Sequence, residues 1–450
     1  MTTPPAVAPP VTAELPRKLT LFDSTALLVG SVIGSGIFVV PSLIAQRIPE
    51  PGLVIAIWVF SGALVLCGAL TLAELGAMLP HSGGLYVYMR EAYGPFWSFL
   101  YGWTNFLVVI PGAIAALTSA FLLYLKYFVP MPLWVEKLVG MAILLVLAAV
   151  NCRGVKWGAW VQNLFTFLKL AGLAGIVVLA LEVRPEGAST TNFLPLWPSD
   201  YRAGLLSAVG VAMISTLFAY DGWHFVGFVA GEIRNPQKNI PRSIFFGVLV
   251  IITVYVSANL AYIYVLGGPR MAASERVAAD AMSAMIGPVG GSLITLAILC
   301  STFGAICANV LAGPRIFFAM ARDRVFFRGV AEIHLRYETP ANSILALSAW
   351  AAVLTLSGGY EHLITMAMFA NWILFAMVVF SVIVLRRNRP QWERPYRLAG
   401  YPATALVFVA VAAAFVVNTL LRARYSSLFG LGLILAGVPI YVHWRRKGRA

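Results

Sequence analysis

Charged side chains are scarce in this chain. Asp, Glu, Lys and Arg make up 11% of its 450 residues, and hydrophobic residues 60%. An average globular domain is about a quarter charged. A water-soluble fold of this length needs far more polar surface, so a soluble enzyme or binding domain is excluded and a polytopic membrane protein is implied. Acid is the scarcer sign, with 18 Asp and Glu against 32 Lys and Arg and a net charge of +14. The basic excess does not mark nucleic-acid binding. It lies in short segments between apolar runs, where it reports orientation in a membrane.

Cysteine and histidine are also few. Cys67, Cys152, Cys300 and Cys307 fall within or at the ends of apolar runs, without metal-ligand spacing, and read as small hydrophobes. His81, His224, His334, His362 and His443 form no HExxH or similar pattern, so neither a metal nor another cofactor is expected. Only His224 is close enough to the second interruption described below to titrate there. No cluster of catalytic polar residues lies near a surface, so enzymatic activity is not expected. A signal peptide is not expected either, because Arg17 and Lys18 lead straight into an apolar run with no cleavage pattern.

Long apolar runs are abundant. About twelve meet the roughly 20 residues needed per crossing: 22–45, 52–79, 96–124, 133–151, 157–181, 205–229, 243–266, 290–320, 343–356, 363–385, 402–421 and 428–444. The expected fold is an all-α integral membrane protein of about 12 transmembrane helices. An even number places both termini on one side. Arg322, Arg324, Arg328 and Arg336, then Arg386, Arg387, Arg389, Arg394 and Arg397, then Arg445, Arg446 and Lys447 make that side cytoplasmic, with membrane lipid as a contact.

The first and sixth runs are interrupted where the bilayer midplane falls, at Gly34-Ser35-Gly36 and at Asp221-Gly222. Unpaired backbone survives at that depth only where it lines a cavity or a ligand satisfies it. Paired interruptions point to a transporter substrate site, and are better explained by an occludable site than by a channel. They divide the chain into a disordered tail 1–20, a five-helix repeat 21–182, an outer loop 183–203, an inverted five-helix repeat 204–386, and two extra helices with a basic tail 387–450.

Glycine at 34 and 36 permits close approach and unusual dihedrals. The helix resuming at Ile37 offers free amides to an anion, while the carbonyls of Val32 and Ile33 that end the first half-helix attract a cation. A zwitterionic α-amino acid carries both charges. Simple helix packing through small residues is the competing account of Gly34-Ser35-Gly36, weakened by the second interruption. In the sixth run the carbonyls of Phe218 and Ala219 add to the cation site and the Phe218 ring covers it. Asp221 either caps the second half-helix through amides near Trp223 and His224, or faces a cationic substrate group or carries a proton. Capping is the favoured reading. Lys169 is the only lysine deep in a run; half-helix carbonyls and the hydroxyls of Ser301 or Thr302 are its expected partners, in a place a sodium ion would otherwise fill. Gly112, Ala113 and Ala116 suggest a small pocket.

Several stretches are similar to the amino acid–polyamine–organocation superfamily, and within it to bacterial-type members of the L-type amino acid transporter family. They are Gly34-Ser35-Gly36-Ile37-Phe38 with Pro41, Ala73-Glu74-Leu75-Gly76 with Ser82-Gly83-Gly84, Phe218-Ala219-Tyr220-Asp221-Gly222-Trp223, Gly231-Glu232 through Asn239-Ile240-Pro241, and Asn371-Trp372. The resemblance implies a 5+5 inverted repeat around a site between spans one, three, six, eight and ten. It implies main-chain binding of substrate by Ser35, Gly36 and Ile37, gating by Phe218, support from Trp223 and Asn371, and Lys169 in the place of a sodium site. Relatives that need a heavy subunit attach it through a cysteine after span three. Segment 126–134 has none, so no covalent heavy subunit is expected. The expected activity is sodium-independent exchange of small or neutral L-amino acids by alternating access in the plasma (inner) membrane. Proton-coupled symport, or broad specificity that includes cationic amino acids, is the alternative.

Overall fold

A computed structural model of the protein describes residues 14–199, 204–357, 360–422 and 424–447, without the side chains of 360–368, 422, 424, 426 and 447. Residues 1–13 of the expected tail and the His362 side chain lie outside the described residues. Among the described residues the regular elements are helices, with one isolated backbone bridge.

Among the described residues nine helices are long and apolar enough to cross a membrane, and Leu21–Val32 with Gly36–Ala45 makes a further span bent by 41°. Two shorter apolar helices, Leu205–Ala219 and Ala341–Ser357, supply spans six and nine. Span two is Pro51–Met78, span three Pro95–Leu125, span four Leu133–Cys152, span five Val155–Glu182, span seven Pro236–Ala273 and span eight Pro288–Arg322. Spans ten, eleven and twelve are Tyr360–Asn388, Ala403–Arg422 and Arg424–Lys447. Spans one and six are the interrupted pair. With five spans in each half, the second half enters the membrane from the opposite side.

Local chemistry sets the ends and bends. Thr20 and Asp23 form a reciprocal capping box at the start of span one. Proline opens spans two, three, seven and eight, where its missing amide is no loss. Pro111, inside span three, cannot bond the carbonyl of Leu107. The turn widens into a π segment at Asn105–Val109, and the Trp350 indole of span nine donates to the Leu107 carbonyl instead, at 2.9 Å. The bundle packs span seven along spans two and one. Span eight lies against spans five, three and one, so the interrupted first span is enclosed on both sides.

The side that carries residue 20 is laced with ion pairs. Arg315 donates to the Glu232 carboxylate at 2.7 and 3.1 Å, both groups fully buried. Lys156 pairs with Asp23 at 2.7 Å, and Arg90 with Asp323 at 2.7 and 2.8 Å. Arg90 belongs to a short helix, Leu85–Tyr93, that the apolar-run reading passes over. Residues 14–20, assigned from sequence to the disordered tail, are packed here. Leu15 and Leu19 are buried, the Leu19 amide donates to the Glu232 carbonyl at 2.9 Å, and the Arg234 amide donates to the Leu19 carbonyl at 2.8 Å. Proline content suggested a free tail, but two buried leucines and paired backbone hold its last residues down.

Glu74, fully buried near the end of span two, takes Arg386 in a two-point contact at 2.9 and 2.6 Å and accepts the Leu398 amide at 2.6 Å. Arg394 stands 3.6 Å away. One carboxylate thus joins span two, span ten and the connector that follows. Glu74→Ala removes the carboxylate partner of Arg386 and the acceptor of the Leu398 amide, and removing one partner of a buried pair costs about 3–5 kcal/mol. The expected result is a clearly lower thermal unfolding midpoint in detergent. An unchanged midpoint refutes this joint as a source of stability.

Candidate functional site

The two interruptions touch. Span one ends at Val32, where the Gly34 amide turns back to the Val32 carbonyl at 2.8 Å, and the helix resumes at Gly36. Unusual dihedrals were expected at 34–36, yet Ser35 is near-helical (φ −76°, ψ −16°) and neither glycine has positive φ. The need for glycine at 36 is spatial. A Cβ there lies 2.8 Å from the Ala219 Cβ and 2.9 Å from its Cα. The left-handed residue is Gly222, at φ 110°, and a Cβ there lies 2.9 Å from the Ser31 carbonyl. The Ser31 hydroxyl donates to the Gly222 carbonyl at 3.0 Å. From span seven, the Tyr255 hydroxyl lies 3.1 Å from the Val32 carbonyl and 2.9 Å from the Ala219 carbonyl, so one group serves both interruptions.

Behind span one, Lys169 is fully buried. Its Nζ donates to the carbonyls of Gly30 at 2.9 Å, Ile33 at 2.6 Å and Ser301 at 3.0 Å, which uses all three of its donors. Two expectations are corrected. The Ser301 hydroxyl does not accept from Lys169 but donates to the carbonyls of Ile33 (2.9 Å) and Gly34 (3.2 Å). The Thr302 hydroxyl donates to its own helix, to Ile298 and Leu299, as helical threonine commonly does. The Ile33 carbonyl, expected to meet a substrate cation, is therefore already occupied.

On the opposite face of the interruptions is a cavity of about 150 Å³. Its wall includes Val32, Gly34, Ser35, Gly36, Phe218, Ala219 and Asp221 of the expected set. Ile33, Ile37, Trp223 and Asn371 are not on it. The Ile37 side chain is buried, but the amides of Gly36 and Ile37 open the resumed helix, where no helical carbonyl reaches them and Ser35 supplies no cap. Trp223 is buried against Phe375 and Phe408, with ring centroids at 5.4 and 5.6 Å. Asn371 is buried with neither amide atom hydrogen-bonded.

Asp221 does not cap the second half-helix. No side-chain cap is present, and that helix begins only at Phe225, because the left-handed turn at Gly222 delays it beyond reach of the carboxylate. The carboxylate stands on the cavity wall, part-exposed, with the buried His224 Nδ1 at 3.8 Å.

Sequence reasoning missed Asn309, Ala305, Val109 and Phe225 on the wall. The available signal was helical spacing: Ser301, Ala305 and Asn309 repeat every four residues on one face of span eight, as Val109, Ala113 and Leu117 do on span three. Ala113 and Ala116 line the cavity as expected; Gly112 does not. Among the described residues no group of three His, Cys, Asp or Glu could hold a metal.

A small cavity walled by two interrupted helices in a bundle of about twelve spans is the arrangement of a membrane carrier. The model of the amino acid permease family matches residues 19–438, and the chain belongs to that family. It is similar to the serine/threonine exchanger SteT of Bacillus subtilis (strain 168), 30% identical over 436 residues, which cover 96% of this chain and 98% of that protein. The human b(0,+)-type amino acid transporter 1 is 30% identical over 447 residues, covering 97% and 90%. The human large neutral amino acids transporter small subunit 2 is 31% identical over 449 residues, covering 96% and 82%. The superfamily resemblance read from the sequence holds, and the protein is a transporter rather than an enzyme.

Gly36→Val forces side-chain atoms into Ala219 and parts the two interruptions, an overpacking worth about 1–3 kcal/mol. Amino acid affinity is expected to fall by about tenfold or more while the purified protein still unfolds cooperatively. Parental affinity in this variant refutes the role given to the contact.

Proposed function

We propose that the protein is a sodium-independent exchanger of small or neutral L-amino acids, working by alternating access in the plasma (inner) membrane with both termini cytoplasmic. The observation that carries this reading is the Lys169 ammonium on the carbonyls of Gly30, Ile33 and Ser301. A resident cation there satisfies the carbonyls that a coupling ion would need. On this reading the substrate carboxylate meets the amides of Gly36 and Ile37 at the positive end of the half-helix. The substrate ammonium meets the carbonyl end of span six at Phe218 and Ala219, with Val32 beside it. Phe218, 42% exposed, stands on the wall as a cover. The cavity is smaller than the roughly 300–1,000 Å³ of drug-sized sites, which suits a substrate of few heavy atoms. Relatives named as an exchanger and as amino acid transporters support the same reading. No covalent heavy subunit belongs to it, because segment 126–134 has no cysteine.

Counterflow into liposomes tests the mode. Labelled serine is expected to enter only vesicles preloaded with amino acid, at a rate unchanged when choline replaces sodium. Sodium dependence overturns the role of Lys169. Uptake into empty vesicles driven by an inward proton gradient replaces exchange with symport.

The carboxylate of Asp221 on the cavity wall favours a second reading, a broader carrier that also takes cationic amino acids. Asp221→Asn then weakens competition by lysine and arginine by about tenfold, because charge-assisted bonds are roughly twice as strong as neutral ones, and spares alanine and leucine. Equal effects on all four restrict Asp221 to a positioning role and leave the neutral-substrate reading.

A further inference from the structure

At the start of span seven, on the side of the molecule that holds residue 19, is a second cavity of about 400 Å³. It has no part in the substrate site. Lys238, Arg242, Phe245 and Phe246 form one wall, and Pro395 and Tyr396, in the connector after span ten, form the other. The spacing 238, 242, 245, 246 keeps these side chains on one helical face. Both basic side chains are exposed, and among the described residues neither has a carboxylate within 4.0 Å. The paired rings of Phe245 and Phe246, 5.5 Å apart, are 43% and 51% exposed. Below them Leu249 and Val250 are exposed as well.

Down this face polarity therefore falls in a fixed order, from two exposed cations to two aromatic rings to aliphatic side chains. The cationic end is the start of the helix, next to Arg234, whose amide bonds the Leu19 carbonyl just before span one. A small soluble anion accounts only for the first two residues. A molecule with an anionic head and acyl chains matches the whole face, because basic pockets between helices at this depth take acidic lipid headgroups and apolar chains cover exposed rings.

We propose that this groove is a binding site for an anionic glycerophospholipid, its phosphate on Lys238 and Arg242 and its acyl chains across Phe245 and Phe246. The lipid joins span seven to the connector after span ten. Span seven carries Tyr255 between the two interruptions, and the connector is held to span two through the Leu398 amide on Glu74.

The test uses the full chain, reconstituted in vesicles of equal parts phosphatidylglycerol and phosphatidylcholine, extracted in mild detergent and weighed intact by native mass spectrometry. The parent protein is expected to retain phosphatidylglycerol in preference to phosphatidylcholine. Lys238→Gln combined with Arg242→Gln is expected to cut that preference by about thirty-fold, the combined effect of two basic side chains near an acidic surface. Arg336→Gln, a basic residue of the same side away from the groove, is expected to leave it unchanged, and added inorganic phosphate is expected not to displace the lipid. Equal retention of the two lipids by the parent overturns the proposal, as does an undiminished preference in the double variant. A loss as large in Arg336→Gln replaces the groove with general surface charge, and displacement by phosphate replaces the lipid with a soluble anion. The readout does not involve transport, so it stands or falls independently of the exchanger reading.

Discussion

An ammonium group with three carbonyl partners organises the centre of this protein. Lys169 reaches from span five to the end of the first half of span one and to the Ser301 carbonyl of span eight. Carbonyls at a helix end have no partner of their own, and at membrane depth no water replaces one. A charge buried at that depth is equally untenable alone. Each need answers the other, and the Ser301 hydroxyl completes the arrangement on Ile33 and Gly34. The broken helix can therefore exist where it does because span five brings a three-fold hydrogen-bond donor to its free carbonyls.

Once span one is fixed in this way, span six is fixed against it by contact. Gly36 lies on Ala219, Gly222 lies on Ser31, and neither position has room for a Cβ. Tyr255 holds the carbonyls of Val32 and Ala219 from span seven. These contacts join the two interruptions into one unit, with the free amides of Gly36 and Ile37 and the carbonyl end of span six facing a common space. Such packed contacts are not continuously deformable, so movement of one interruption carries the other with it.

The features set by bilayer thickness were legible in the sequence. Runs of about twenty apolar residues, two of them interrupted, and one lysine at depth follow from dielectric and hydrogen-bond constraints that act on single segments. The features set by the meeting of two segments were not. Ser35 is near-helical and neither glycine has positive φ, and the need for glycine at 36 comes from Ala219, nearly two hundred positions away in the chain. Capping by Asp221 requires the half-helix to begin near Trp223 and His224, whereas with Gly222 at φ 110° the helix starts at Phe225 without a side-chain cap. Thr302 seemed as good a partner for Lys169 as Ser301, and only the rotation of span eight distinguishes them. Leu15 and Leu19 sit in a proline-rich segment whose composition hides the backbone pairing it makes with residues 232–234.

The ion pairs bear on how such a carrier exchanges. Asp23 at the start of span one pairs with Lys156 of span five, Glu232 after span six pairs with Arg315 of span eight, and Lys18 pairs with Glu338 after span eight. All three tie the interrupted spans to the elements packed around them, and all lie on the side of residue 20. On the alternating-access reading, opening that side would separate the pairs. The exposed Lys18 pair costs little to separate, about 0–1 kcal/mol. The buried Glu232 and Arg315 cost several kcal/mol until water reaches them. On the exchanger reading, bound amino acid offsets that cost by drawing the two interruptions together around its own charges, and an empty cavity has no such offset. The return of the carrier then waits for a substrate on the other side, which is the kinetic content of exchange, and no coupling ion is required to enforce it.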